Sequence, residues 1–330
     1  MSEPRVLHFH DCADVGAALV KAAGRVGYDW GYLGAEAVRP TNRPKNRVAN
    51  MLFQAKLRLG HMRAIRESDV LHVHYGTAVS EARRKPMPKR PLLLHLHGTD
   101  IRTHWARGRR KSRMQGYIDQ AEAVFYTNLD TQENAEEARP DAQFMPAFID
   151  PDRLTTWQPD SNQAPKIIFL SRWEEIKGAS RQWPLIKALT KAYPEATIEG
   201  LDWGADAAAA AKLGVRLVPK MDHTSYMQWI GGATVAIGQA NPMLGVSEFE
   251  AMAMGLPVAV LGSRLPRPDD GSTPPVFEGS VADVVEQIGP ALHDPVAAAN
   301  NLNGRQWVLD HHLPDPYIPM LQSLYRKFAA

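Results

Sequence analysis

The chain holds a single cysteine, Cys12, among 330 residues. One thiol excludes an intramolecular disulfide and any multi-cysteine metal site, and it suits a reducing compartment. Long apolar runs are missing as well. The opening MSEPRVLHFH has no basic head followed by an apolar stretch, and no run reaches the roughly eighteen residues of a membrane span. Secretion and membrane spanning are therefore not expected, and the cytoplasm is the expected location. Net charge is low, only +2, with 44% apolar and 22% charged residues. That balance excludes a disordered or fibrous chain.

The low net charge hides an asymmetry. Between Arg39 and Arg113 nineteen basic residues face four acidic ones. Such a stretch favours phosphates, an anionic membrane surface or nucleic acid. No nucleic-acid recognition motif accompanies it, so nucleic acid is not an expected partner.

Short β-prone runs alternate with helical segments along the chain. Arg5–Phe9, Val70–Val73, Leu92–Leu96 and Ala123–Tyr126 form a first series. A second comprises Lys166–Leu170, Ala196–Glu199, Val215–Val218, Ala233–Ile237 and Pro257–Leu261. Buried strands alternating with helices predict an α/β protein with two Rossmann-like domains, each a parallel sheet covered on both faces. The proline-rich, aperiodic stretch 144–165 separates the two series. The reading is an N-terminal domain over 1–150, a C-terminal domain over 151–315, and a terminal helix over 316–330 built on Tyr317–Phe328.

In open parallel sheets ligands bind beyond the carboxyl ends of the strands. His97 and Asp100 follow one predicted strand, and the loop SRWEEIKG (171–178) follows another. Arg172 and Lys177 there supply the positive charge that a diphosphate needs. At Gly245 a loop turns into a helix, so the N–H groups of Gly245, Val246 and Ser247 are candidate phosphate donors. Ser247 and Glu250 read as an S-x-x-E capping box, the structural alternative to Glu250 binding two ribose hydroxyls. The runs HFH, HVH and HLH set histidines two apart on one strand face, but the spacing suggests no third metal ligand.

Taken together, GVSEFEAMAMGLPV (245–258), SRWEEIKG, HVHYG and LHLHGTDIR resemble the retaining glycosyltransferases of family 4, within the group 1 glycosyltransferases. The resemblance implies a GT-B fold, two Rossmann-like domains facing a cleft, with the C-terminal helix returning to the N-terminal domain. It implies an acceptor-binding N-terminal domain and a donor-binding C-terminal one. Arg172 and Lys177 would hold the diphosphate of a nucleotide-sugar donor, Glu250 its ribose, and Gly245, Val246 and Ser247 its phosphate. His97 would lie near the reacting sugar, so His97, Arg172 and Lys177 form the catalytic set. The implied chemistry moves a sugar with retention, the leaving diphosphate itself taking the acceptor proton, with no cofactor and no metal. Asp269 and Asp270 read as turn residues and not as an Asp-x-Asp metal element.

Two departures stand out. Pro242 occupies the place of the family's sugar-gripping glutamate, which leaves backbone groups of Met243 and Leu244 as candidate donor contacts. The first loop, HDCADVG (10–16), lacks the usual paired glycines, although Gly16 still opens a helix; Gly16 and Asp100 are the acceptor-side candidates. The segment 47–65 mixes apolar residues with Lys56, Arg58 and Arg63 as a basic helix suited to an anionic membrane, hence to a lipid-linked acceptor and a peripheral location on the inner face of the plasma membrane. A sugar-nucleotide epimerase of the same fold and a catalytically silent nucleotide-sugar-binding protein are the rival readings.

Overall fold

The computed structural model describes residues 3–108, 110–159 and 163–330. The chain divides into two compact units, Met1–Phe148 with Pro314–Ala330, and Ile149–Leu313. The aperiodic stretch ahead of Lys166 crosses the first boundary, and its residues 160–162 lie outside the described part.

The first unit carries β1 (Val6–Asp11), β2 (Gly31–Gly34), β3 (Val70–His74), β4 (Leu92–Leu96), β5 (Ala123–Tyr126) and β6 (Gln143–Phe144). They form one parallel sheet in the order β2-β1-β3-β4-β5-β6. Every residue of β1, β3 and β4 is buried, as a sheet covered on both faces requires. Side-chain alternation then splits each strand between two cores. Leu7, Phe9, Leu71, Val73, Leu92 and Leu94 pack on one face. Val6, Val70, Leu93 and Phe125 pack on the other, against Val15 and Leu19 of the helix Val15–Arg25 and Ile318, Leu321 and Tyr325 of the helix Ile318–Ala329.

The second unit repeats the architecture with β7 (Lys166–Phe169), β8 (Thr197–Asp202), β9 (Arg216–Pro219), β10 (Val235–Ile237), β11 (Val258–Leu261) and β12 (Phe277–Gly279). Its parallel order is β12-β11-β10-β7-β8-β9. The helices Ala179–Ala192 and Val246–Met254 belong to different faces: Leu185, Ile186 and Leu189 enter one core, Phe249, Ala251 and Met252 the other. All nine strands anticipated from the sequence are present, within three residues of the expected ends. β2, β6 and β12 were not anticipated; each has two to four residues and none of them is fully buried.

Candidate functional site

In the second unit the chain reverses its direction of strand addition between β7 and β10, the neighbours at the middle of the sheet. Loops leaving the carboxyl ends of such a pair diverge, and the gap between them is where ligands bind in this class of sheet. The loop after β7 contains Arg172 and Lys177, and the loop after β10 contains Met243, Leu244 and Gly245. Several bonds tie the two together. Lys177 Nζ donates to Gln239 Oε1 at 3.0 Å, Ala240 N donates to the Lys177 carbonyl at 3.1 Å, and Asn241 Nδ2 donates to the Ile176 carbonyl at 2.9 Å. Gly178 makes the approach feasible: its φ is 77°, and a Cβ there would lie 3.0 Å from the Ala240 carbonyl oxygen. Lys177 is thus a half-buried cation held at the strand ends.

The helix Val246–Met254 starts at this gap, with Gly245 as its N-cap. This corrects the capping reading from sequence. Glu248, not Glu250, folds back on the helix start: its carboxylate accepts from Gly245 N at 2.9 Å and from Gln239 N at 2.8 Å, and the residue is 2% exposed. Ser247 does not cap, because it already lies inside the helix; its hydroxyl instead reaches the Tyr226 phenol, which burial pushes above the usual tyrosine range. The cost to phosphate binding is one donor. Gly245 N–H is spent on Glu248, so Val246 and Ser247, the first two helical residues, carry the N–H groups that a helix start turns outward.

Glu250 is buried, and His223 Nε2 lies 2.7 Å from its Oε1. A fixed carboxylate of this kind is suited to accept from vicinal hydroxyls. Arg172 pairs with Glu174 at 2.7 Å and its guanidinium stands 5.4 Å from the centre of the Trp203 ring. Leu244 is buried in the core beside Phe249, and the Met243 carbonyl accepts from Gln239 Nε2 at 2.9 Å. Gln239, which reading the sequence did not single out, therefore joins Lys177, Met243 and Glu248. Its position directly after an apolar strand run was the available signal.

In the first unit the order of strand addition reverses between β1 and β3, and the backbone is strained there: His10 (φ 62°) and Tyr75 (φ 85°) adopt conformations rare for residues other than glycine. Asp100 is completely buried and accepts from the backbone N–H of Gly76 (2.9 Å), His97 (3.1 Å) and Ile101 (3.0 Å). Its observed work is to fix the two loops. Gly16 leaves room for His74, whose Nε2 would lie 2.8 Å from an added Cβ. Asp11 caps the Val15–Arg25 helix from a distance, accepting from Ala17 N at 2.8 Å.

Here a second expectation is corrected. Three adjacent strands bring their paired histidines together, so third nitrogens do exist: those of His8, His72 and His74, and of His74, His95 and His97, lie within 4.8 Å of one another. The rings are stacked, with interplanar angles of 13–34° between His8, His72 and His74, and their nitrogens are largely engaged with each other. His72 Nδ1 meets Tyr325 OH at 2.6 Å, Tyr325 OH meets His8 Nε2 at 3.4 Å, and His8 Nδ1 meets His74 Nε2 at 3.0 Å. His74 Nδ1 continues to His97 Nε2 at 3.2 Å, and Thr127 Oγ1 joins His97 Nδ1 (3.4 Å) to His95 Nε2 (2.8 Å).

A neutral imidazole has one donor and one acceptor, so a chain of them has a single direction. The two ends of the chain are His95 Nδ1 and His72 Nε2, neither of which has a hydrogen-bond partner among the described residues. Whichever way it runs, each ring inside the chain donates on one side and accepts on the other, and a single lone pair is left over at one end. Each of the other lone pairs points at a proton, so the array is a hydrogen-bond chain before it is a ligand set. Burial keeps the rings uncharged, lowering His8 to about 3 and His72, His74 and His95 far below the usual histidine range. Burial also lowers His97, opposed by the nearby Asp100 and Asp11 carboxylates.

No protein-family model matches this sequence, and no curated protein matches it. Solved structures do. The chain superposes on a sucrose-phosphate synthase from Thermosynechococcus elongatus with TM-score 0.65 and 15% identity, covering 99% of each chain. Against HepE from Anabaena, in complex with UDP and glucose, the TM-score is 0.67 at 14% identity, over 98% of this chain and 99% of the other. A protein described as a UDP-N-acetylglucosamine 2-epimerase, from Listeria monocytogenes, gives TM-score 0.60 at 12% identity, over 96% and 94%. At such identities a likeness speaks for the fold. Two parallel six-stranded units, together with these superpositions, give the chain the GT-B fold of two Rossmann-like units.

Proposed function

We propose that this chain is a glycosyltransferase that moves a sugar from a nucleoside-diphosphate sugar to an acceptor, with retention of configuration. The observation that supports the proposal is the reversal between β7 and β10, where the loop carrying Arg172 and Lys177 is tied through Lys177 to the loop that leads into the Val246–Met254 helix. A departing nucleoside diphosphate gathers negative charge, and the two cations and the helix N-terminus would stabilise it. Glu250, held by His223, would take the ribose hydroxyls, and the Met243 and Leu244 backbone would face the sugar in place of the glutamate that Pro242 replaces. His97 would contact donor or acceptor from the first unit. The acceptor side is assigned to that unit with Gly16 and Asp100, and a lipid-linked acceptor at the inner face of the plasma membrane agrees with the basic Arg39–Arg113 region. No helix among the described residues is long and apolar enough to cross a membrane.

The test is a thermal-shift and calorimetric screen of uridine, guanosine and adenosine diphosphates and their sugars. One diphosphate should bind, and Lys177→Ala should weaken it; indifference of the chain to all of them, or binding unchanged by that substitution, overturns the assignment. The epimerase likeness supports a second reading, in which the same site acts on the nucleotide sugar alone. Incubation with UDP-N-acetylglucosamine and no acceptor decides it, since an epimerase would change the sugar without releasing it.

A further inference from the structure

The helix Arg47–Glu67 is 21 residues long, yet His61 and Ile65 are its buried residues. Asn50, Gln54, Leu57, Arg58 and His61 lie along one side of it at helical spacing and wall a cavity of about 340 Å³. The facing wall supplies Arg39, Arg43, Arg84 and a single carboxylate, Glu81. That carboxylate is already neutralised: Arg39 Nη2 donates to it at 2.6 Å while Arg39 Nη1 donates to Thr77 Oγ1 at 2.7 Å. Arg43, Arg58 and Arg84 thus border the cavity with no carboxylate of the lining left to balance them.

A further observation points to a ligand. Gln54 Nε2 and Asn50 Oδ1 are shut off from solvent and have no hydrogen-bond partner among the described residues. A buried amide of this kind is ordinarily satisfied, so the cavity presents hydrogen-bonding capacity that the protein does not use. Guanidinium groups recognise phosphate through parallel N–H donors, and amide N–H groups add to that recognition.

We propose that this cavity binds a phosphate or diphosphate group, either free or carried on the head group of a lipid. The site stands apart from the nucleoside-diphosphate reading, because no residue of the second unit contributes to it. Its size falls within the range of small-ligand clefts, and three uncompensated cations make its occupancy fall with rising salt.

The experiment uses the full chain carrying Lys177→Ala, so that the loops of the second unit add little anion binding. Inorganic pyrophosphate is titrated by calorimetry, and phosphatidylcholine vesicles with and without phosphatidate are tested by co-sedimentation. Arg58→Gln and Arg84→Gln, both at exposed positions, should each weaken pyrophosphate binding by about tenfold, equivalent to about 1.4 kcal/mol. Arg63→Gln, on the same helix but paired with Glu67 and outside the cavity, should leave it within about twofold. Pyrophosphate binding without vesicle binding identifies a free phosphate ligand. Binding to phosphatidate vesicles that falls with Arg58→Gln and with Arg84→Gln, when Arg63→Gln leaves it within about twofold, identifies a lipid. The proposal fails if the parent binds neither probe, or if Arg58→Gln and Arg84→Gln behave like Arg63→Gln.

Discussion

Lys177 is held from two sides, by Gln239 Oε1 on its ammonium and by Ala240 N on its carbonyl, so removing the side chain leaves the loop's backbone tie in place. For the proposed transfer, Lys177→Ala should lower kcat by about 100-fold or more while the melting temperature stays close to that of the parent. Steady-state kinetics with a donor and acceptor pair checks it, and an unchanged kcat would remove Lys177 from the reaction. Tyr325 has a different kind of importance. Its hydroxyl is the link between His72 and His8, and Tyr325→Phe leaves two buried imidazole nitrogens without their partner. A loss of about 1–3 kcal/mol in unfolding free energy follows, measurable by urea denaturation. At this scale the sequence was legible where chemistry and position coincide: Arg172, Lys177 and Glu250 could be picked out because they follow strands or begin a helix. Glu248 and Gln239 were not, because the groups they bond, the Gly245 N–H, the Met243 carbonyl and Lys177 Nζ, are brought in by the turn between Gln239 and Gly245 and by the loop after β7, and no local pattern announces either.

The helix Ile318–Ala329 belongs to the first unit although about 165 residues separate it from the rest. It buries Ile318, Leu321 and Tyr325 against the sheet face that carries the histidines. A chain ending before Pro314 would expose that face, and each lost large side chain is worth about 2–5 kcal/mol. Such a chain is expected to lose the near-ultraviolet signal of Trp30, whose ring meets that of Tyr325 edge-on at 5.0 Å, and to have its first unit digested rapidly by protease; an unchanged signal with protease resistance would show the helix to be dispensable. Elements with strong periodicity were readable, because strands buried on both faces are apolar runs interrupted mainly by histidine and this helix has regular spacing. β2, β6 and β12 escaped because short, half-exposed strands owe their existence to neighbours already in the sheet. The histidine array escaped for a related reason. Each strand displays two rings on one face, and only the pairing of His8 with His72 and of His74 with His95 in adjacent strands assembles the chain.

For the whole molecule the buried histidines set a dependence on pH. In the unfolded chain they titrate near their usual value of about 6.5, whereas burial holds His8 at about 3 and His72, His74 and His95 well down. Below about pH 6.5 the unfolded state therefore binds more protons than the folded one. The stability these groups allow is complete above that pH and is lost as pH falls toward their folded values, by up to about 1.4 kcal/mol per pH unit for each ring. Urea midpoints measured at about pH 7, 6 and 5 should drop steeply, with several protons taken up on unfolding; midpoints that stay level would contradict the burial of uncharged rings. The same array has a consequence in time. A ribosome releases the strands of the first unit before those of the second, but the hydroxyl that completes their hydrogen-bond chain sits on residue 325 and emerges only after the whole second unit. The second unit, continuous from Ile149 to Leu313, can close first. Of the two units, the one begun first is finished second, and until then its imidazole-lined face waits open to water.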